Sequence, residues 1–368
     1  MSADPRVVIW RSAMLPGSET FVRDHGAALH RWSPAYLGAV RVDSPLAADT
    51  DRIAFPDARS FLRLRLTGRS PRLDHALREL RPDLVHAHFG GDAWLVSGAA
   101  AGLGVPLVIT VHGHDVTRQP AAAGLRGLRY RRNLRTAFRR AALILAVSEH
   151  IRTRAHACGA DPAKVRVHHT GIPLPSDEPA VPKRWDVAFV GRLVAKKGVA
   201  DLLTALSATP ARAVIIGTGP LEGPLRRQAA ELGVDATFLG ALPHAEALSH
   251  VRASRIFAAP SRTAPDGDSE GLPTTILEAS ALGVPVVATR HSGIPEAVRH
   301  LETGLLCAEG DSAALAAHIG RLLTDDALRA RLGANGRAHV TEGFDLSRQS
   351  RRLEAHYDDV AGRVSAGR

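Results

Sequence analysis

The stretch "RIFAAPSRTAPDGDSEGLPTTILEASALGVPVVATR", residues 255–290, decides the fold class of this chain. Apolar runs stand at its two ends, at 255–261 and 285–290. Between them a helical segment, Thr274–Ala281, follows Pro273, a residue suited to the first position of a helix. Short continuous apolar runs are typical of strands buried on both faces, and a helix between two of them predicts a parallel β-α-β unit.

The same alternation recurs along most of the 368 residues. The strand candidates are 6–10, 35–40, 83–89, 106–112, 143–148 and 165–170, then 185–191, 211–217, 236–240, 255–261, 285–290 and 304–308. A proline-rich segment without periodicity, 171–184, separates the two sets and is typical of a linker. We therefore predict an α/β protein with two Rossmann-like, doubly wound parallel-sheet domains, 1–175 and 176–345. A C-terminal helix at 346–368 is expected to cross back to the first domain.

Composition limits the partners that this chain can have. The net charge of +10 would suit nucleic acid, an anionic membrane or a phosphorylated ligand. Only 4% of the residues are aromatic, which is few for stacking on bases, so no nucleic-acid partner is expected. No run approaches the roughly 20 apolar residues of a membrane span, and the start lacks a signal pattern, which predicts a cytoplasmic protein. Cys158 and Cys307 have neither metal-site nor disulfide-framework spacing.

The segment "VGRLVAKKG", residues 190–198, combines a turn after a strand with basic side chains. Gly191 ends the strand, and Arg192 and Lys197 follow before Gly198 opens a helical run. Backbone N–H groups at such a turn, a guanidinium and an ammonium together suit phosphate oxygens. A solvated basic loop is the alternative interpretation.

Two other glycine-containing turns follow predicted strands. "IIGTGP", residues 215–220, holds Gly217 and Gly219 but lacks the third glycine of a dinucleotide fingerprint, so a tight strand-to-helix turn is equally consistent. "MLPGSETFV", residues 14–22, places Gly17 in a loop that could accept phosphate and Ser18 where it could cap a helix.

Two glutamates, Glu270 and Glu278, lie eight residues apart around the predicted helix start. They could be a catalytic acid and base, metal ligands, dipole-complementing acids, or acceptors for vicinal hydroxyls of a sugar or ribose. Without His or Cys at ligand spacing, a metal site is disfavoured. The N–H groups of Gly271, Leu272 and Thr274 are expected to form an anion-accepting helix start.

Histidines cluster at the ends of two strands in the first half. His112 and His114 lie in "TVHGHD", residues 110–115, and His86 and His88 in "VHAHFGGD", residues 85–92. Such turns suit hydroxyl-rich ligands, but they could equally be core histidines. The neighbouring Asp92 and Asp115 would then be helix caps.

Residues 125–142 form an arginine-rich segment with seven arginines. Its apolar residues, Leu125, Leu128, Tyr130, Leu134 and Phe138, fall near helical spacing. A basic amphipathic helix favours contact with an anionic membrane surface; an ordinary surface helix is the alternative.

Taken in order, these motifs resemble the retaining glycosyltransferases of family 4, which have the GT-B fold. The segments "VGRLVAKKG", "IIGTGP", "FLGALPHAE", residues 256–298 and "GLLCAEGD" follow the family pattern in order and spacing. In the first half, "GSETFV", "VHAHFG", "TVHGHDV" and "VHHTGI" look like the branch that contains exopolysaccharide-building enzymes. Many members have a Gly-Gly pair where this chain has "PGSET".

The resemblance implies a role for each matching residue. The first domain would bind the acceptor and the second the nucleotide sugar, across a cleft. Arg192 and Lys197 would bind the donor diphosphate, Glu270 and His112 the transferred sugar, and Glu278 the ribose. His112, Arg192, Lys197 and Glu270 would be the catalytic set. The implied donor- and acceptor-lining residues are Gly17, Gly191, Arg192, Lys197, Gly217, Gly219, Leu242, Gly271, Leu272, Pro273, Thr274 and Glu278.

The resemblance also implies the reaction. A UDP- or GDP-sugar would donate its sugar to a lipid-linked saccharide or a soluble aglycone, with retention, by front-face attack, without metal or cofactor. A nucleotide-sugar epimerase on the same fold is one alternative, and a non-catalytic binding protein for nucleic acid or membrane is another. Asp266 and Asp268 are interpreted as plain loop acids.

Overall fold

In a computed structural model, which describes residues 4–17, 19–57, 59–176 and 181–366 without the side chains of 363–366, the chain divides into two units. One unit is Met1–Pro173 together with Leu346–Arg368, and the other is Leu174–Asp345. Ser18, the candidate helix cap, and residues 177–180 of the proline-rich segment lie outside the described residues.

The first unit contains a seven-stranded sheet. Its strands are β1 Arg6–Met14, β2 Ser33–Arg41, β3 Arg52–Ile53, β4 Leu84–His88, β5 Leu107–Val111, β6 Leu143–Ala146 and β7 Val165–Val167. Their order across the sheet is β3-β2-β1-β4-β5-β6-β7, and every neighbouring pair is parallel. Its helices are α1 Thr20–Ala27, α2 Leu62–Thr67, α3 Pro71–Leu80, α4 Gly90–Leu103, α5 Arg118–Ala121, α6 Gly124–Arg140 and α7 Glu149–Ala157.

The second unit repeats this winding with six strands. They are β8 Trp185–Val190, β9 Ala213–Ile216, β10 Ala236–Gly240, β11 Ser254–Ala259, β12 Val286–Thr289 and β13 Gly304–Cys307, in the order β10-β9-β8-β11-β12-β13. The helices are α8 Val199–Ser207, α9 Glu222–Glu231, α10 His244–Arg252, α11 Thr274–Ala281, α12 Ile294–Ala297, α13 Ser312–Thr324 and α14 Asp326–Gly343. This order is that of a doubly wound sheet, whose winding reverses between β8 and β11.

All twelve predicted strands are present, with ends that differ by a few residues. The prediction missed β3, because two residues of an edge strand, one of them an arginine, carry no apolar run. Pro273 stands at the N-cap of α11 and not at the first helical position, because its ψ of 113° is extended. The two cysteines are free thiols.

The last helix, α15 Leu346–Ala366, packs on the first unit. The Glu354 carboxylate accepts hydrogen bonds from the N–H groups of His30 at 2.7 Å and Arg31 at 2.5 Å. Tyr357 is fully buried, and its hydroxyl lies 2.7 Å from His86 Nδ1. A buried carboxylate and a buried phenol whose partners lie more than 270 residues away fix this helix by tertiary contacts.

Each sheet has an apolar core. In the first unit Val7, Ile9, Leu84 and Val108 are almost completely buried against α15 and its neighbours. In the second unit the strands pack on α8 and α13. Within the described ranges, no helix combines the length and the apolar character that crossing a bilayer requires.

The arginine-rich segment forms α6, but its apolar residues do not make one stripe. Leu134 and Phe138 are buried, whereas Leu125 and Leu128 are exposed. Nine residues at about 100° each place Leu134 on the side of the helix opposite Leu125. Contrary to what their spacing predicted, the apolar residues therefore do not share one stripe, and α6 has an apolar side toward the core and two leucines toward solvent.

Candidate functional site

The carboxyl ends of β8 and β11 are the first place to look for a site. These strands are neighbours, and the winding of the second sheet reverses between them. The loops that follow neighbouring strands at such a point leave in opposite directions and open a crevice, where ligands of doubly wound sheets bind. The loop after β8 carries Arg192 and Lys197, and the loop after β11 carries Glu270.

Gly198 lets these two loops approach each other. Its φ is +64°, and a Cβ built on it would lie 1.8 Å from the carbonyl oxygen of Pro260. No side chain fits there, so a larger residue would push the lysine-bearing loop away from the loop of Glu270. Arg192, at the other end of the same loop, is exposed, and no residue that the structure describes pairs with it.

Gly217 and Gly219 bring the loop after β9 against the loop after β8. A Cβ on Gly217 would lie 2.0 Å from the Gly191 carbonyl oxygen, and one on Gly219 2.4 Å from that of Leu193. The Gly191 N–H donates to the Ile216 carbonyl at 2.9 Å. Close packing of two backbones therefore explains both glycines, and their contact with a ligand stays a prediction.

Lys197 and Glu270 form an ion pair at the centre of this site. Lys197 Nζ lies 3.0 Å from Glu270 Oε1, and Glu270 is only 7% exposed. Burial by itself would raise the pKa of the carboxyl, but the charges of Lys197 and Lys196 outweigh burial and hold that pKa below its usual value. Glu270 is thus ionised at neutral pH.

The pairing with Lys197 does not satisfy the carboxylate of Glu270. Apart from this ion pair, the buried Oε1 of Glu270 has no hydrogen-bond partner among the described residues. A buried ionised oxygen with unused lone pairs is costly unless something donates to it. Hydroxyl groups of a bound sugar would meet that requirement.

A second set of residues fixes the backbone at Glu270. The Glu270 N–H donates to His291 Nε2 at 3.1 Å, and His291 Nδ1 lies 2.6 Å from Glu309 Oε1. Since Nε2 accepts, the imidazole proton is on Nδ1 and is donated to Glu309. The Ser292 hydroxyl donates to the Glu270 carbonyl at 2.5 Å, with Ser292 in the left-handed region at φ +51°.

Sequence reasoning missed this supporting set. His291, Ser292 and Glu309 follow β12 and β13, and their only signal was polar residues after a predicted strand. It also interpreted Asp268 as a plain loop acid. Asp268 pairs with Lys196 at 3.3 Å, and Lys196 Nζ also lies 3.4 Å from the Ser269 carbonyl, so this lysine ties the two loops together.

The start of α11 lies directly after Glu270. The N–H groups of Leu272 and Thr274 have no acceptor in the part of the chain that is described. Glu278 is farther along this helix, and its carboxylate lies 3.2 Å from His244 Nε2 at the start of α10. Leu242, half-buried, precedes α10. The structure thus places the two glutamates in different surroundings, one buried beside lysines and one beside a largely exposed histidine.

The corresponding point of the first unit, between β1 and β4, is filled by its own charges. Arg11 is only 7% exposed, and its guanidinium bonds to both Glu19 and Asp92. Asp92 also accepts from the Ser12 hydroxyl at 2.7 Å. Phe89, at φ +70°, lies under the guanidinium at 4.4 Å.

His112 belongs to a group of neutral histidines at the same edge. Its Nε2 lies 3.0 Å from His88 Nδ1, and its ring contacts Phe21 and Phe89. Burial, then the charge of Arg11, lowers its pKa well below the usual value. His86 is a satisfied core residue, with Thr110 and Tyr357 each at 2.7 Å.

The hydrogen bonds of Asp115 and the packing around Gly17 differ from those expected from the sequence. Asp115 is not the N-cap of α5, which is Thr117. It accepts from the N–H groups of His112 and Gly113 and from that of Gly90, the first residue of α4, and so organises the turn that carries His112. Gly17 is exposed, and a Cβ there would meet only Pro45 at an ordinary 3.6 Å, so packing does not require glycine. Across the described ranges, no three His, Cys, Asp or Glu side chains are grouped to hold a metal ion.

Family models match both units of this chain. Residues 17–175 match the model of Glycosyltransferase Family 4, and residues 174–339 match that of Glycosyl transferases group 1. The chain is 32% identical, over 77% of its length and 79% of the relative, to a GDP-mannose-dependent monoacylated alpha-(1-6)-phosphatidylinositol monomannoside mannosyltransferase of Corynebacterium glutamicum. It is 31% identical to the amylovoran biosynthesis glycosyltransferase AmsK of Erwinia amylovora, over 65% of its length and 60% of the relative.

Among solved structures, HepE from Anabaena, crystallised in complex with UDP, has the same fold. Its TM-score is 0.78 at 21% identity, covering 96% of this chain and all of that one. The ordered motifs, the two parallel sheets and the matches to both family models lead to one conclusion: the chain belongs to the family 4, group 1 glycosyltransferases and has the GT-B fold.

Proposed function

We propose that this glycosyltransferase moves a sugar from a nucleoside diphosphate sugar to an acceptor hydroxyl, with retention of configuration and without a metal ion. The observation that carries the proposal is the unsatisfied, ionised Glu270 beside Lys197, next to the unpaired Arg192 and the start of α11. That set offers cations for a diphosphate and an acceptor for sugar hydroxyls within one unit.

The donor would be activated by charge alone. As the nucleoside diphosphate leaves, negative charge develops on its phosphate oxygen. Arg192, Lys197 and the N–H groups of Leu272 and Thr274 are fixed donors that could stabilise that charge without reorganising. The leaving phosphate would take the acceptor proton during front-face attack, so no side chain has to act as nucleophile.

The carboxylates would hold hydroxyls. Glu270 is proposed to accept hydrogen bonds from hydroxyls of the transferred sugar, and Glu278 from hydroxyls of the ribose. Neither carboxylate would then act as a general acid or base. His112, held neutral by burial, is proposed to hydrogen-bond the transferred sugar from the first unit, which would bind the acceptor. Gly17 would line the acceptor side, and Gly191, Gly217, Gly219, Leu242, Gly271 and Pro273 the donor.

The relatives suggest donor and acceptor classes. One is named for GDP-mannose and a phosphatidylinositol monomannoside, another for amylovoran biosynthesis, and the structural relative was crystallised with UDP. We propose a GDP- or UDP-sugar as donor and a lipid-linked saccharide as acceptor, with a soluble aglycone as the alternative acceptor. The enzyme would act in the cytoplasm, at the inner membrane face. No observation favours the epimerase.

A thermal-shift panel with UDP-, GDP-, dTDP- and ADP-sugars tests the donor proposal. A ligand that binds the native state raises the melting temperature by mass action. We expect one nucleotide class to raise it by several degrees in the wild type and not in Lys197→Ala. Exposed Arg227→Gln is the matched control. No shift with any nucleotide sugar at millimolar concentration would contradict the proposal.

A further inference from the structure

A surface of the first unit exposes large apolar side chains. Six leucines are the exposed large apolar residues of the described chain, and four of them lie here: Leu62 at 50%, Leu66 at 58%, Leu125 at 84% and Leu128 at 59%. Arg129 of α6 donates to the Arg65 carbonyl of α2, which joins the two helices. We call these leucines, with the arginines of 59–69 and 124–140, the leucine–arginine face.

The core of the first unit does not need these leucines. In α2, Leu64 is fully buried, while Leu62 and Leu66, one turn apart, point outward. In α6, Leu134 and Phe138 face the core, Leu125 lies on the side opposite Leu134, and Leu128 is also exposed. Four of the six exposed leucines of the described chain thus lie on two helices joined by one hydrogen bond, and apolar surface concentrated in this way marks an interaction surface.

The charge of this face is one-sided. Residues 59–69 contain four arginines and residues 124–140 contain seven, and neither segment contains an acidic residue. Arg63, Arg126 and Arg132 are exposed, and none of them has an ion-pair partner in the described parts of the chain. The partner must therefore present negative charge together with an apolar layer.

We propose that the leucine–arginine face docks on an anionic lipid bilayer. The leucines would enter the boundary between headgroups and acyl chains, while the arginines contact lipid phosphates. A second copy of the same face would bring like charges together, which disfavours self-association. Base stacking on nucleic acid would use exposed aromatic side chains, whereas Tyr130 on α6 is partly buried and bonds to the Asp115 carbonyl.

Vesicle co-sedimentation of the full chain tests this proposal. The probes are vesicles of phosphatidylcholine alone and of phosphatidylcholine with about one-third phosphatidylglycerol, at low and at high salt. We expect wild type to pellet with the anionic vesicles at low salt and to be partly released by salt, because exposed charges are screened. Absence of binding to anionic vesicles at low salt would overturn the proposal.

Two sets of variants separate the apolar and charged contributions. One carries Leu62→Gln, Leu66→Gln, Leu125→Gln and Leu128→Gln; the other carries Arg63→Glu, Arg126→Glu and Arg132→Glu. Each set should weaken vesicle binding by at least about tenfold. The matched control carries Leu232→Gln and Arg227→Glu, exposed positions of the second unit, and should bind like wild type.

Two further outcomes contradict the membrane assignment. Equal binding by wild type and both variant sets would place the contact elsewhere. A wild type that is dimeric by light scattering and becomes monomeric in the leucine variant would make the face a self-association surface. The nucleotide-induced thermal shift should persist in every variant, so failure of this inference is distinguishable from failure of the proposed function.

Discussion

The two units have the same winding order, but they differ in the charged side chains at the point where the winding of each sheet reverses. Between β1 and β4, one cation, Arg11, lies between the carboxylates of Glu19 and Asp92, all nearly buried. Between β8 and β11, Lys197 and Lys196 pair with Glu270 and Asp268, and Arg192 adds an exposed cation that no described residue pairs with. The first arrangement has an excess of negative charge and the second an excess of positive charge.

The comparison shows that the strand order creates a crevice in both sheets, whereas the charges of the side chains around it determine which ligand it can bind. A diphosphate brings negative charge, which the second unit can compensate and the first cannot. The buried histidines of the first unit are neutral and offer hydrogen bonds without charge. Such a surface suits hydroxyl-rich molecules, in agreement with the proposed division into donor and acceptor units.

The largest expected effect is on the stability of the first unit. Arg11→Met leaves Glu19 and Asp92 buried without a cation, and breaking a buried pair in this way costs about 3–5 kcal/mol. Urea denaturation would measure the free energy of unfolding. The matched change in the second unit, Arg192→Met, should alter stability by less than about 0.5 kcal/mol, because that side chain is exposed. Equal losses would show that the contrast between the two units is wrong.

Next in size is the loss of sugar transfer on changing the central ion pair. Glu270→Gln keeps the shape but removes the charge proposed to accept sugar hydroxyls, and Lys197→Ala removes the cation proposed to contact the leaving phosphate. Each should lower transfer about 100-fold, measured with the radiolabelled donor that the thermal-shift panel identifies and a membrane lipid extract as acceptor. Circular dichroism checks folding, and exposed Glu246→Gln is the control. Near-normal transfer by either variant would remove that residue from the site.

A third effect is a loss of stability at acidic pH that comes from buried histidines of the first unit. Burial lowers the pKa of His25 to about 4 and, helped by the charge of His25, that of His86 to about 3. Their unfolded pKa is near 6.5, so the unfolded state binds more protons and stability falls as pH drops from about 6.5 toward 4 and 3. At pH 5 each histidine should cost about 2 kcal/mol of the free energy of unfolding.

Denaturation between pH 7 and 5 tests this dependence. His25→Gln should make this dependence less steep by the contribution of one histidine. The amide oxygen of the new side chain can still accept from the Gly171 N–H, which in the wild type bonds to His25 at 3.0 Å. Exposed His75→Gln should leave it unchanged. An equally steep dependence in His25→Gln would mean that burial of this ring does not control acid stability.

The smallest effect concerns the exposed cation of the second unit. Arg192→Gln should weaken nucleotide binding about tenfold without changing stability, because it removes one charged contact to phosphate. Titration calorimetry with the nucleoside diphosphate measures this, and Arg227→Gln is the control. Unchanged affinity would remove Arg192 from the diphosphate site and leave Lys197 as its main cation.

Much of the fold could be predicted because buried parallel strands have continuous apolar sequences. The run at 285–290 identified β12 without any tertiary information, while β3, with two residues and an arginine, carried no such signal. The contact of Lys197 with Glu270 was not predictable, since 73 residues separate them and only the neighbouring positions of β8 and β11 bring them together. His291 is missed for the same reason, because its role depends on the backbone of Glu270 and not on its own surroundings in sequence.

Strand–helix alternation, family membership and the list of candidate residues could all be obtained from the sequence, because periodicity, glycine positions and motif order are local properties. Which charges are satisfied and which are not became visible only in the folded chain. It showed that Asp268 holds Lys196, that Gly217 and Gly219 serve backbone packing, and that Leu125 lies opposite Leu134. Burial and charge balance depend on neighbours that the chain brings from far away, and no local pattern records them.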